Sequence, residues 1–196
     1  MNLPNRLTIL RMAAIPFFIA CFFLPDTVLV NVCGAEVLLK YVIAAVIFIL
    51  AYITDILDGR IARKRGIVTD FGKLMDPIAD KLLTASCMIM LIGRGLMSVC
   101  DWLMPLFTII VLAREFVISG VRLVAASKGK VIAAGVLGKI KTTLQSIALP
   151  VVMIAGPVFR AIGVPVDFIL LAASVVMTVW SGFDYVIRNR EVFKAE

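Results

Sequence analysis

Long apolar runs separated by short polar connections dominate the pattern of the chain. Most runs are close to the roughly 20 residues that a helix needs to cross a bilayer. Continuous runs of this kind favour membrane helices over the alternating segments of a β-barrel. We therefore predict an all-α integral membrane protein with six transmembrane helices, at about residues 12–24, 36–55, 71–92, 102–125, 132–159 and 164–187.

A short segment with a polar stripe precedes the first run. Asn5, Thr8 and Arg11 recur at three-residue steps among apolar residues. Pro4, just before them, suits the first turn of a helix. We predict a short N-terminal interfacial amphipathic helix that leads into the first span, which Pro25 ends. The stripe either anchors this helix at the membrane surface or faces the headgroup of a bound substrate.

Composition supports a membrane location. Hydrophobic residues make up 62% of the 196 residues, compared with about 45–50% in soluble domains. The six runs and their short connections account for the whole length, so we predict one domain over residues 1–196. The net charge is +7, and the basic residues responsible for it lie beside the apolar runs. This placement favours anionic lipid headgroups and phosphate-bearing substrates, rather than nucleic acid, as partners.

The Lys and Arg residues are unevenly distributed between the two sides of the predicted bundle. Most flank one set of run ends, whereas the opposite set carries Lys40, Arg94 and Arg160. Because basic residues are enriched on the cytoplasmic side, both termini and the polar clusters described below are expected to face the cytoplasm. Cys33 and Cys100 fall in loops on the outer side, where they could form a disulfide.

Four aspartates lie at the ends of the second and third runs. Asp55 and Asp58 are three residues apart, and Asp76 and Asp80 are four apart. Both spacings place each pair on one face of a helix. Each Asp alone could be a helix cap or a solvated residue. Four carboxylates gathered at a membrane face are costly without a cation. Because the chain has no His, the ligands would be oxygens, which favour a hard cation such as Mg²⁺ or Mn²⁺.

A second polar cluster is basic. Arg114 and Arg122 are eight residues apart, about two helical turns, so they share a face. Lys139 and Lys141 open the next helix. Together these side chains could form a pocket for a phosphate group, which Arg binds in bidentate fashion. Alternatively, they extend to the lipid headgroups, and Glu115 pairs with a neighbouring Arg or Lys.

The aspartates belong to a longer pattern, in which Gly59, Ala62, Arg63 and Gly72 occupy fixed positions between the two pairs. This pattern resembles the signature of the CDP-alcohol phosphotransferase family. The stretch at 113–142, with PNRLTILR at 4–11, is similar to one bacterial branch of it. Members of that branch transfer the phosphatidyl group of CDP-diacylglycerol to sn-glycerol 3-phosphate, which gives phosphatidylglycerophosphate and CMP in phospholipid biosynthesis.

The resemblance also implies roles for individual residues. Asp55, Asp58 and Asp76 would hold two Mg²⁺ or Mn²⁺ ions, and Asp80 would either ligate a metal or act as the catalytic base. The remaining assignments cover two substrate sites and a headgroup contact. The CDP moiety would be bound by Asp55, Asp58, Gly59, Ala62, Arg63 and Gly72, the acceptor phosphate by Arg114, Arg122, Lys139 and Lys141, and the headgroup by Asn5, Thr8 and Arg11.

The family resemblance further implies a homodimer in the bacterial inner membrane. Two alternatives stay open. Within the family, the acceptor could be inositol phosphate, serine or phosphatidylglycerol, although an acceptor without phosphate leaves the basic pocket unexplained. The second alternative is a cation transporter rather than an enzyme, because transporters also carry carboxylates within the membrane. Transporters usually place such groups near the midplane in two related halves, whereas these lie at one end.

Overall fold

The computed structural model describes residues 3–65, 70–129 and 135–190, and within them the side chains of residues 9–56, 78–79, 81–129 and 135–190. This part of the chain forms six α-helices and one β-hairpin. In chain order they are α1 (Leu3–Cys21), β1 (Val28–Val32), β2 (Ala35–Leu38), α2 (Leu39–Arg65), α3 (Asp70–Leu91), α4 (Met104–Ser127), α5 (Val136–Ile162) and α6 (Val166–Arg188), with a 3₁₀ turn at Asp101–Leu103 before α4.

Three stretches in the described part of the chain are long and apolar enough to cross a membrane: Leu39–Ile56 in α2, and all of α5 and α6. Shorter apolar stretches occupy Ile9–Cys21 in α1 and Lys81–Leu91 in α3. The protein is therefore a helical membrane protein. The expected six helices are found, while the crossing of the bilayer by all six stays a prediction.

The helices pack around one apolar core. The most extensive pairing joins α5 to α6, α1 packs on α2 and α3, and α4 packs on α6. Fully buried side chains in the centre include Phe18, Phe48, Met88, Leu149 and Met153. Below, the "site end" is the end of the bundle where α2, α4 and α6 finish, and the "hairpin end" is the opposite one.

The first helix differs from the prediction of a separate interfacial helix. Helix α1 runs without a break from Leu3 to Cys21, with Pro16 inside it, and stops short of Pro25. Helix formation is cooperative, so a continuous stretch of helix-compatible residues propagates through the polar stripe. One helix therefore carries Arg11 directly onto the face that packs against α2.

The predicted outer loop is in fact a β-hairpin. Val32 pairs with Ala35, so two residues form its turn, and both have positive φ, Cys33 at 52° and Gly34 at 81°. Positive φ at both positions is the requirement of a type I′ turn, which matches the twist of the strands. Helix α2 consequently begins at Leu39, later than the predicted residue 36. The disulfide is not formed, because Cys33 and Cys100 are both free.

Buried polar contacts close the hairpin end. Asp167, fully buried at the start of α6, accepts hydrogen bonds from the backbone N–H of Ser98 at 2.7 Å and from its hydroxyl. Arg160 on α5 donates to the carbonyl of Met97. Gly156 lies against the same loop, where a Cβ would be 2.0 Å from the carbonyl oxygen of Leu96. The loop between α3 and α4 is therefore fixed onto α5 and α6.

Candidate active site

The acidic pattern spans the junction of α2 and α3 at the site end. Asp55 and Asp58 lie in the last turns of α2, and Asp76 and Asp80 lie in the first turns of α3. Helix α2 continues beyond residue 55, the predicted end of the second run, to Arg65. Asp55 has a described side chain; the side chains of the other predicted ligand and nucleotide residues lie outside the described part, namely Asp58, Gly59, Ala62, Arg63, Gly72, Asp76 and Asp80.

Asp55 forms an ion pair with Arg11 of α1. The Arg11 side chain is almost fully buried, whereas that of Asp55 remains 32% exposed. A buried guanidinium needs a compensating anion, and Asp55 supplies it. The exposed part of the carboxylate can still offer oxygen to a hard cation. The donor chemistry of Asp55 therefore fits the expected metal, and Arg11 lies directly behind it. The side chains of Asn5 and Thr8 lie outside the described part.

A small polar cavity adjoins this ion pair. It lies between α1, α2, α3 and α5, deeper in the bundle than the end of α2. Among its neighbours Gln145 is buried and donates a hydrogen bond to the Met88 sulfur at 3.1 Å. The polar lining residues are Arg11, Tyr52, Asp55, Thr84, Thr142, Gln145 and Ser146. Polar groups thus extend from Asp55 toward α5, beside the apolar core of the bundle.

Glu115 lies at the centre of the basic cluster. Its Oε1 accepts hydrogen bonds from the Lys141 ammonium and, at 3.0 Å, from Nη1 of Arg114. The Lys141 side chain is only 6% exposed. It therefore does not extend to the lipid headgroups, which was one of the alternatives from the sequence. The pairing of Glu115 with neighbouring cations, one of the alternatives that the sequence left open, is confirmed.

The Arg114 side chain also lies against α5 and α6. Its Nη2 donates to the hydroxyl of Ser181 at 3.1 Å. A Cβ at Gly138 would lie 3.6 Å from this Nη2, and one at Gly182 would lie 3.1 Å from Cγ of Arg114. The two glycines thus give the arginine the room that it occupies. Its Nε is buried and has no hydrogen-bond partner within the described residues.

Arg122 and Lys139 are the more accessible members of the cluster. Arg122 is exposed, donates from Nε to the hydroxyl of Tyr185 at 3.1 Å, and has its guanidinium carbon 5.5 Å from the centre of that ring. This geometry combines a hydrogen bond with a cation–π contact. Lys139 is exposed in the first turn of α5. Both can reach an anion that approaches from the site end.

Several partners in the site were not anticipated from the sequence. They include the pairing of Arg11 with Asp55, the hydroxyls of Ser181 and Tyr185, and Lys81, whose ammonium donates to the hydroxyl of Ser119. The signal for Lys81 was its position directly after Asp80. Ser181 and Tyr185 are four residues apart on α6, the spacing of one polar face in an apolar helix.

Comparison with known proteins agrees with the aspartate signature. Residues 1–180 match the family model of CDP-alcohol phosphatidyltransferase. A Bacillus subtilis CDP-diacylglycerol–glycerol-3-phosphate 3-phosphatidyltransferase is 38% identical over 194 residues, which is 98% of this chain and 97% of the relative. A Rickettsia bellii protein of the same name is 37% identical and covers 94% and 93%. A probable phosphatidylglycerophosphate synthase of Mycobacterium tuberculosis is 36% identical and covers 95% and 81%.

Proposed function

The chain belongs to the CDP-alcohol phosphatidyltransferase family, and we propose that it transfers the phosphatidyl group of CDP-diacylglycerol to sn-glycerol 3-phosphate. The products are phosphatidylglycerophosphate and CMP. The observation that carries the proposal is the similarity, over nearly the whole chain, to relatives named for this reaction. The basic cluster supports a phosphorylated acceptor, because its buried and exposed cations converge at one end of the bundle.

The chemistry is a phosphoryl-group transfer. A hydroxyl of glycerol 3-phosphate attacks the β-phosphorus, a new P–O bond forms, and the bond to the oxygen shared with the α-phosphorus breaks. CMP leaves with that oxygen. Asp80 accepts the hydroxyl proton, since a carboxylate is the available base in a chain without His. Asp80 alternatively serves as a metal ligand, and the choice between these roles is open to test.

The aspartates would hold a divalent metal, in line with the general metal dependence of the family. Asp55, Asp58, Asp76 and Asp80 would hold two Mg²⁺ or Mn²⁺ ions. When bound, such ions neutralise the charge on the pyrophosphate and on the leaving oxygen. Arg11 orients the Asp55 carboxylate through their ion pair.

Two substrate sites complete the proposal. The CDP moiety is bound by Gly59, Ala62, Arg63 and Gly72, next to Asp55 and Asp58. The acceptor phosphate is bound by the basic cluster of Arg114, Arg122, Lys139 and Lys141, and Asn5, Thr8 and Arg11 lie toward the donor headgroup. The Nε of Arg114 is buried and has no hydrogen-bond partner in the described part of the chain. Because buried donors are normally paired, this supports a role for Arg114 in binding an oxygen of the acceptor phosphate.

The arrangement in the membrane follows from the same reasoning. We propose one catalytic domain over residues 1–196 that crosses the bacterial inner membrane six times and forms a homodimer. The site end faces the cytoplasm, where glycerol 3-phosphate is available. The diacylglycerol chains of the donor lie in the bilayer beside exposed apolar side chains, such as those of Phe116, Leu123 and Phe183.

The test of the reaction is a choice of acceptors. The purified protein in detergent receives CDP-diacylglycerol and Mg²⁺ with glycerol 3-phosphate, serine, inositol phosphate or phosphatidylglycerol as sole acceptor, and CMP release is measured. We expect release with glycerol 3-phosphate and little with the others. Release with another acceptor contradicts the assigned acceptor but keeps the family chemistry. No release with any acceptor, under Mg²⁺ or Mn²⁺, contradicts the proposed reaction.

A further inference from the structure

We infer that Glu115 is a positioning residue, which orients the cations of the acceptor site and thereby sets the affinity for the acceptor phosphate. The inference rests on the proposed function and concerns a residue that the aspartate signature does not include. Glu115 is an anion inside a pocket assigned to another anion. Because two anions repel each other, its presence there needs a physical explanation other than attraction to the acceptor phosphate.

The first observation is the double contact of its Oε1. One carboxylate oxygen accepts hydrogen bonds from both the Lys141 ammonium and the Arg114 guanidinium. The side chains of Glu115 and Lys141 are 18% and 6% exposed. Charge-assisted hydrogen bonds in such partly dehydrated surroundings are short and directional. Glu115 therefore fixes where both cationic groups lie relative to α4.

The second observation extends the network to α3. The hydroxyl of Ser119, one turn after Glu115, donates to the Glu115 backbone carbonyl at 2.6 Å and accepts a hydrogen bond from the Lys81 ammonium. Lys81 directly follows Asp80 in α3. A single turn of α4 thus contacts a cation from α3 and a cation from α5. This turn connects the helix of the proposed base with the helix that carries Lys139 and Lys141.

The third observation concerns the shape around Arg114. Its guanidinium donates hydrogen bonds to Glu115 on one side and to Ser181 on another, and Gly138 and Gly182 leave room for it. An arginine held at two nitrogens has a fixed guanidinium plane. Without Glu115 the guanidinium keeps the Ser181 contact alone and can rotate. Bidentate recognition of a phosphate depends on that orientation.

Charge and orientation predict opposite effects when Glu115 is neutralised. By charge alone, a carboxylate repels a phosphate dianion, so Glu115→Gln would tighten acceptor binding. By orientation, the same change releases Lys141 and Arg114 and weakens acceptor binding. The direction of the change in KM for glycerol 3-phosphate therefore separates the two roles.

The experiment compares steady-state CMP release by the wild type and by Glu115→Gln, with glycerol 3-phosphate and CDP-diacylglycerol varied in turn. Loss of one charge-assisted hydrogen bond corresponds to a loss of binding affinity of roughly tenfold or more. We expect KM for glycerol 3-phosphate to rise by about that factor, while KM for CDP-diacylglycerol stays near the wild-type value. The control is Glu36→Gln, the same change at an exposed carboxylate on β2, which is expected to alter neither constant.

Two further variants keep the test decisive if Glu115→Gln folds poorly with its buried lysine unpaired. Glu115→Asp, which keeps the charge, should recover part of the lost affinity. The pair Glu115→Gln with Lys141→Met removes both charges, so folding is retained while Arg114 still loses its charged partner. Because Lys141 belongs to the proposed acceptor site, this double variant is compared with Lys141→Met alone. We expect it to keep its Tm and to show a higher KM for glycerol 3-phosphate than Lys141→Met.

Specific outcomes overturn the inference. A KM for glycerol 3-phosphate that is unchanged or lowered in Glu115→Gln, and no higher in the double variant than in Lys141→Met alone, contradicts a positioning role. Equal rises of both substrate KM values, together with a lowered Tm, assign Glu115 to folding instead. A wild type that releases no CMP with glycerol 3-phosphate is a failure of the proposed function itself and is recognised before any variant is compared.

Discussion

The carboxylate of Asp55, a predicted metal ligand on α2, forms an ion pair with the buried guanidinium of Arg11 on α1. Arg11 belongs to the polar stripe of the first helix, and Asp55 opens the aspartate signature. The contact therefore joins the N-terminal helix to the centre of the proposed chemistry. Groups that orient a metal ligand from behind contribute to metal affinity without contacting the metal.

Replacement of Arg11 by Gln is expected to weaken metal binding. Loss of an outer partner of a ligating carboxylate typically lowers metal affinity by about 10–100-fold, so the Mg²⁺ concentration for half-maximal CMP release should rise by a similar factor. A Mg²⁺ titration of activity at saturating substrates measures it. Arg94→Gln, at an exposed arginine beyond the hairpin-end terminus of α3, is the control. A lower Mg²⁺ requirement in Arg11→Gln indicates that Arg11 repels the metal instead.

Asp80→Asn tests the base. We expect kcat to fall by about 100-fold or more, because the amide cannot accept the hydroxyl proton. Binding of CDP-diacylglycerol, measured by calorimetry in detergent, should be largely retained. Asp184→Asn makes the same substitution at a carboxylate that pairs with Arg188 on α6 and should leave turnover near the wild-type value. Normal turnover in Asp80→Asn removes this residue from the chemistry.

Arg122→Ala tests the acceptor site from its accessible side. Loss of a charged donor to the phosphate should raise KM for glycerol 3-phosphate by roughly tenfold or more and change KM for CDP-diacylglycerol far less. Tyr185→Phe removes only the hydroxyl that Arg122 contacts and keeps the ring beneath it. It should cause a smaller rise in the same direction. Equal effects of Arg122→Ala on both substrates contradict the assignment.

Gly156→Ala tests the packing of the hairpin end. The new Cβ would lie 2.0 Å from the Leu96 carbonyl oxygen, so α5 and the loop after α3 must separate. Such overpacking costs about 1–3 kcal/mol, and Tm should fall. Gly120→Ala is the matched control, because a Cβ at this helical position of α4 meets nothing within 4 Å. It should be neutral or stabilising, by up to about 1 kcal/mol. Equal Tm values for both variants are inconsistent with this packing.

The sequence predicted the helices better than their contacts. Six helices were expected, and the beginning of α3 lies within one residue of the predicted position. The pairing of Glu115 with a neighbouring cation was one of the alternatives that the sequence left open. These features depend on periodicity and on local charge, which a single chain displays directly.

What could not be predicted depends on contacts between distant residues or on local backbone geometry. The pairing of Arg11 with Asp55 and that of Arg122 with Tyr185 require knowledge of which helix faces which. The hairpin was missed because its turn, Cys33-Gly34, differs from the common Asn-Gly or Asp-Gly signal. The family resemblance was confirmed by the comparisons, whereas the roles of the individual aspartates stay predictions.

The buried contacts of the hairpin end also bear on the integrity of the membrane. Asp167, Ser98 and Arg160 fasten the loop after α3 onto α5 and α6. Below this closure lies a core of fully buried apolar side chains that includes Phe18, Met88 and Met153. Under the proposed function, charged substrates bind at the site end while this closed, apolar half excludes water. The proton and ion gradients of the cell would then be preserved during turnover.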